Sequence, residues 1–153
     1  MDAALDAQDG SPASDSGDAG ADAECNKIDL TPAPTIAIYE SAAATPTPAG
    51  GMIQPGTYWA TTLTIYDGKT SGPLNNGKLS LVFGATTWDW AQEPAMRRYS
   101  GLWMTNNTYL QLGILCPSNM TSGGADYTVS GQKLMLFTKD GSNNTSVTEL
   151  TKQ

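Results

Sequence analysis

From Gly56 to the end, the chain is a succession of short runs in which apolar and polar residues alternate, separated by Gly, Asn and Asp. A period of two puts successive side chains on opposite faces of an extended strand, and frequent turn residues leave no room for helices of ordinary length. The first run, 57–66, sets Trp59, Thr61, Leu63 and Ile65 against Tyr58, Ala60, Thr62, Thr64 and Tyr66, and Asp67-Gly68 marks a turn. Run 78–83 aligns Leu79, Leu81 and Phe83 after an Asn75-Asn76-Gly77 turn of the kind hairpins favour. Run 86–91 puts Trp88 and Trp90 together with Asp89 opposed, and run 96–105 separates Tyr99 and Trp103 from Met96, Leu102 and Met104. Runs 109–116, 125–130, 133–138 and 146–151 complete the set, the last pair being linked by an Asp-Gly-Ser-Asn-Asn loop at 140–144.

These runs predict an all-β domain of eight strands in simple succession. Eight is the number at which an up-and-down antiparallel sheet closes into a barrel, removing its edges and leaving an interior for side chains or one small ligand. A two-sheet β-sandwich satisfies the same alternation. Hairpin-length links favour the barrel over Greek-key crossings. Ahead of it, residues 25–55 are expected to form an extended lead-in arm and loop, with one short apolar segment, Ile36-Ala37-Ile38-Tyr39, that reads as a lead-in strand or extended arm, and prolines at 46 and 48 that bar a helix. The barrel domain is expected over 56–153.

The formal charge of −7 belongs entirely to the first two dozen residues. Residues 1–24 carry seven acids and no Lys or Arg, whereas eight acids and eight bases balance from Cys25 onward. A stretch of Asp, Ala, Gly and Ser buries too little apolar surface to offset chain entropy, so a disordered acidic tail is expected. It reads as a tether that holds the domain away from a surface, or as an interaction tail for a basic partner. The neutral domain behind it lacks the basic footprint of a nucleic-acid binder. No run is long and apolar enough for a membrane-spanning helix, and the start does not read as a signal peptide. The expectation is therefore a cytosolic protein or the mature form of an exported one.

Cysteine usage favours export. Cys25 opens the folded part and Cys116 ends the run 109–116. A disulfide between them closes a long loop, worth roughly 4–5 kcal/mol by chain entropy, and implies an oxidising compartment. Two buried free thiols are the alternative. Histidine is absent, which removes the commonest metal ligand and general base. No Gly-x-Ser-x-Gly elbow, zinc-ligand spacing or phosphate-binding glycine loop is found, so neither a metal, a cofactor nor an enzymatic activity is expected.

A short Asp/Ala/Gly/Ser tract followed by a β-rich domain resembles secreted lipoproteins of myxobacteria and related Gram-negative bacteria. The resemblance implies a periplasmic or outer-membrane location, with membrane contact only through a lipid anchor. Cys25 follows Asp22-Ala23-Glu24 rather than small apolar residues, so it is not expected to be lipidated. The opening Gly56-Thr57-Tyr58-Trp59, followed by seven more hairpin-linked strands, resembles the lipocalin-like (calycin) families. Those families open with Gly-x-Trp, whose ring closes the barrel floor. Here Tyr58 holds that position, Trp59 comes one residue later, and Lys152 is the nearest basic residue to the family's packing arginine.

Trp59, Trp88, Trp90 and Trp103 are candidates to line a pocket and hold an apolar or sugar ring; packing in the core is the other reading of each. Arg97 and Tyr99 share a face next to Trp103. An Arg-x-Tyr pair resembles the carboxylate clamp of fatty-acid-binding relatives; alternatively, Arg97 and Arg98 flank a solvated strand and pair with Glu93 or Asp89. The sequence thus predicts a monomeric, non-enzymatic domain at the cell envelope that binds a small apolar or glycan-type ligand. The alternative is a structural or protein-interaction module with a filled barrel.

Overall fold

The computed structural model describes residues 25–66, 77–139 and 144–153, which hold nine strands and no helix. The expected tail (1–24), the turns through 67–76 and most of the 140–144 loop lie outside the described residues. The strands are β1 (Ala37–Ser41), β2 (Gly56–Tyr66), β3 (Lys78–Phe83), β4 (Thr87–Glu93), β5 (Arg97–Asn106), β6 (Tyr109–Cys116), β7 (Gly123–Ser130), β8 (Lys133–Lys139) and β9 (Thr145–Lys152).

Strands β2 to β9 pair antiparallel in chain order, and β2 also pairs with β9, closing an eight-stranded barrel. The open sandwich is thereby excluded. The extra strand comes from the lead-in segment. β3 pairs only with residues 56–59 of β2, leaving the rest of that edge free, and β1 occupies it in parallel, Ala37 opposite Thr62 through Ser41 opposite Tyr66.

One feature of β2 departs from simple alternation. A register shift lies between Ala60 and Thr62, where one extra residue is accommodated against β9. A bulge reverses the facing of everything beyond it. Tyr58 and Ala60 therefore point inward with Leu63 and Ile65, rather than opposite them, and Trp59 points outward.

The end of the barrel holding the β3–β4, β5–β6 and β7–β8 turns is filled. Leu81, Leu110, Leu134 and Leu150 are fully buried in one cluster with Tyr58, Phe83 and Tyr127. Phe83 makes edge-to-face contacts with Tyr58 and Trp103, at centroid distances of 5.7 and 5.2 Å. The phenols of this floor are paired: Tyr58 donates to the Gln54 carbonyl and Tyr127 to the Gly51 carbonyl, each at 2.8 Å. Burial raises the Tyr58 phenol above its ordinary pKa. Gly50, at φ +70°, bridges to β7 with its carbonyl accepting from Val129, so the loop before β2 closes over this end.

Residues 25–33 lie across the outer face of β3, β4 and β5. Leu30 and Ala33 bury against Ala91 of β4, with Ile28 and Trp59 packed beside them. Polar bonds fix this strap. Arg98 donates to Asn26 Oδ1 and the Ile28 carbonyl, and Lys78 donates to the carbonyls of Leu30 and Thr31. The Cys25–Cys116 disulfide, with Cα atoms 5.4 Å apart, ties the start of the strap to the end of β6.

Candidate functional site

Opposite the filled floor, the barrel interior opens into a cavity of about 420 Å³, within the usual size range of small-molecule sites. It lies at the end where β2, β4, β6 and β8 finish and β3, β5, β7 and β9 begin. Strand alternation supplies its walls: Trp88, Trp90 and Gln92 are the inward residues of β4, and Tyr99 is the inward residue opposite Trp90 on β5. Leu63 of β2, Leu79 of β3, and Leu112 and Ile114 of β6 add aliphatic surface. Ile36, just before β1, also reaches it, its N–H donating to the Gly77 carbonyl.

The two bulky indoles of β4 have different partners on β5: Trp88 faces a glycine and Trp90 faces Tyr99. Trp88 pairs with Gly101 of β5, where a Cβ would collide with the Gly113 carbonyl and lie 2.9 Å from Trp88 Nε1. That nitrogen donates to the Gly113 carbonyl at 3.2 Å. Gly123 and Ala125 keep the inward face of β7 thin, which leaves the space open, whereas a Cβ at Gly124 would meet the Tyr109 hydroxyl and the Leu110 carbonyl. Glycine inside an alternating strand marks close approach of another group; that signal was present in the sequence at 101 and 124, where a Cβ would collide with the carbonyls of Gly113 and Leu110.

The remaining wall is formed by the inward residues of β8 and β9: Leu136, Thr138, Ser146 and Thr148. Thr138 and Ser146 share a hydrogen bond of 2.8 Å between their hydroxyls. Among the described residues lining the cavity there is no Asp, Glu, Lys, Arg or Cys. Trp90 Nε1 is shielded from water and without a hydrogen-bond partner, a costly state for an indole N–H.

The sequence candidates are distributed over three places. Trp88, Trp90 and Tyr99 line the cavity. Trp103 packs into the floor against Phe83, its Nε1 donating to the Gly84 carbonyl at 3.3 Å. Trp59 lies on the outer surface beneath the strap. Arg97 is exposed, opposite Gln92 and beyond the lining residues, while Arg98 binds the strap rather than a carboxylate. Asp89 meets the Ser100 hydroxyl, which also lies 2.7 Å from the Cys25 carbonyl.

Sequence reasoning missed Asn26. Its amide donates at 2.9 Å to the carbonyls of both Trp90 and Tyr99, holding two cavity residues from outside the barrel. A second pocket of about 450 Å³, lined by Pro46, Pro48, Tyr109, Phe137, Asp126 and Lys139, opens on the outer surface and mixes both charges. Among the described residues, no group of three or more His, Cys, Asp or Glu is placed to hold a metal ion. No family model, curated protein or solved structure matches the chain.

Proposed function

We propose that this protein is a non-enzymatic small-molecule carrier of lipocalin-like type, exported and tethered at the bacterial envelope, with an apolar ligand held in the barrel cavity. The supporting observation is the cavity itself: a closed barrel filled at one end and hollow at the other, with uncharged walls in which Trp, Tyr, Leu and Ile outnumber the polar Gln92, Thr138, Ser146 and Thr148. Burial of apolar surface is the driving force such walls offer. A ligand with a buried charge would find no countercharge there, and the hydroxyls of a polyhydroxylated glycan that face Leu63, Leu79, Leu112 and Ile114 would lose water without gaining a partner. The disulfide supports an oxidising compartment, and the acidic opening of the chain supports a solvated spacer between barrel and membrane anchor.

The test follows thermal midpoint and tryptophan fluorescence against fatty acids, sterols and sugars. The reading expects a saturable upward shift with an apolar compound; a panel without any shift contradicts it. Envelope fractionation of the native host tests location, with recovery in the cytosolic fraction as the contrary result.

A second reading, a protein-interaction module, draws on Leu102 (49% exposed), Met104 (62%) and Leu115 (63%). These lie on the outer face of β5 and β6, where contiguous apolar exposure marks contact surfaces.

A further inference from the structure

The cavity has two chemically different walls, and closure of the barrel sets them against each other. In a ring of eight strands running β2 to β9, strands four places apart face across the axis, so β4 faces β8 and β5 faces β9. Trp88, Trp90 and Tyr99 on β4 and β5 make one wall aromatic, with the Gln92 amide at its outer end. Thr138, Ser146 and Thr148 on β8 and β9 make the opposite wall a cluster of hydroxyls, Thr138 at the mouth and Thr148 one inward position deeper than Ser146. The flanking walls are aliphatic or glycine: Leu63 and Leu79 on one side, Leu112, Ile114 and the two glycines of β7 on the other.

Aromatic rings offer a flat apolar platform. Threonine and serine hydroxyls each donate one hydrogen bond and accept others, and the Thr138–Ser146 bond uses only part of that capacity. Resting on the carrier reading above, we infer that the site selects a flat, uncharged ring compound with a single hydroxyl or carbonyl edge. Its ring lies against Trp90 and Tyr99, and its polar edge meets Thr148 and the Thr138–Ser146 pair. A ring bearing hydroxyls on every edge is disfavoured, because those facing Leu63, Leu79, Leu112 and Ile114 lose water without gaining a partner.

Two isosteric naphthalenes separate the terms: 2-acetylnaphthalene carries a carbonyl where 2-isopropenylnaphthalene carries a methylene. Calorimetric titration measures both against the whole chain and against a Thr138→Val/Thr148→Val variant, which keeps side-chain shape and strand preference. Ser146→Ala, checked by circular dichroism, serves as an independent variant. The expected result is a roughly three- to tenfold loss for the ketone alone, the worth of one net hydrogen bond, with the hydrocarbon unchanged or tighter. Equal effects on both compounds, or none on either, overturn the inference and leave the apolar cavity reading standing. Failure of the unaltered protein to bind either compound overturns the cavity reading as well. Tighter binding of methyl glucoside than of the ketone overturns the single-edge assignment.

Discussion

Replacing both cysteines, Cys25→Ser with Cys116→Ser, removes the link that closes a loop of 91 residues. In the chain-entropy relation the denatured state then regains roughly 15–16 cal/mol/K, about 4.6 kcal/mol at 25 °C. Domains of this size are stable by only about 5–15 kcal/mol, so the loss is a large fraction of the total. It corresponds to a fall in Tm of about 15–20 °C. The native state keeps its non-covalent strap contacts, from Asn26 through Lys78 to the Leu30–Ala33–Ala91 cluster, so the barrel still folds. Urea unfolding, followed by tryptophan fluorescence and far-UV circular dichroism, measures the change. The midpoint falls and the m-value rises, because an unlinked denatured chain exposes more surface. A loss below about 1 kcal/mol with an unchanged m-value refutes the reasoning, since the loop would then contribute little to the denatured state.

Other perturbations probe separate parts of the structure. Leu81→Ala, at a position with no exposure, costs about 3–4 kcal/mol through lost burial and a residual cavity; a loss below about 1 kcal/mol in urea unfolding places Leu81 outside the core. Tyr127→Phe leaves the Gly51 carbonyl without its donor and costs about 1–2 kcal/mol; equal stability contradicts the pairing. Arg98→Met removes two bonds to the strap, and faster amide exchange at residues 26–30 without melting of the barrel is the expected signature. The Asp29 carboxyl accepts hydrogen bonds from the Thr31 side chain and backbone, which hold its pKa below the ordinary aspartate value. Because the folded pKa is depressed, the associated stability is present above the unfolded value and lost as pH falls through the folded one; an NMR titration midpoint at or above the free-peptide value contradicts this.

Strand positions were legible because each buried face leaves a period-two trace: the eight alternating runs of the sequence correspond to β2 to β9. The bulge in β2 was not legible. Nothing in Ala60-Thr61-Thr62 marks an extra residue, since the need for it arises from pairing with β9, 88 residues away. That single residue determines that Leu63 lines the cavity while Trp59 lies outside it. The strap was hidden for a different reason. Leu30 and Ala33 sit in a Pro-, Ala- and Thr-rich segment without periodicity, and their burial depends on an outer surface that exists only after closure. Trp88, Trp90 and Tyr99 were identifiable as same-face aromatics, but the hydroxyl wall was not, because threonine is common on both faces of these strands. Gly101 makes room for the Trp88 indole, and Gly123, with nothing within 4 Å of where its Cβ would lie, leaves the wall opposite β3 open.

Whether the hollow end of the barrel holds a ligand is decided by titrating the neutral dye N-phenyl-1-naphthylamine into the protein and into a Leu136→Trp variant. Leu136 is 6% exposed and lines the cavity on β8, so a larger ring there occupies the space. Circular dichroism verifies that both proteins keep the barrel. The carrier reading predicts saturable one-to-one binding to the unaltered protein and at least a roughly tenfold loss in the variant, a change of about 1.4 kcal/mol. Absence of binding to the unaltered protein contradicts it. Equal binding to both also contradicts it, by placing the dye outside the cavity.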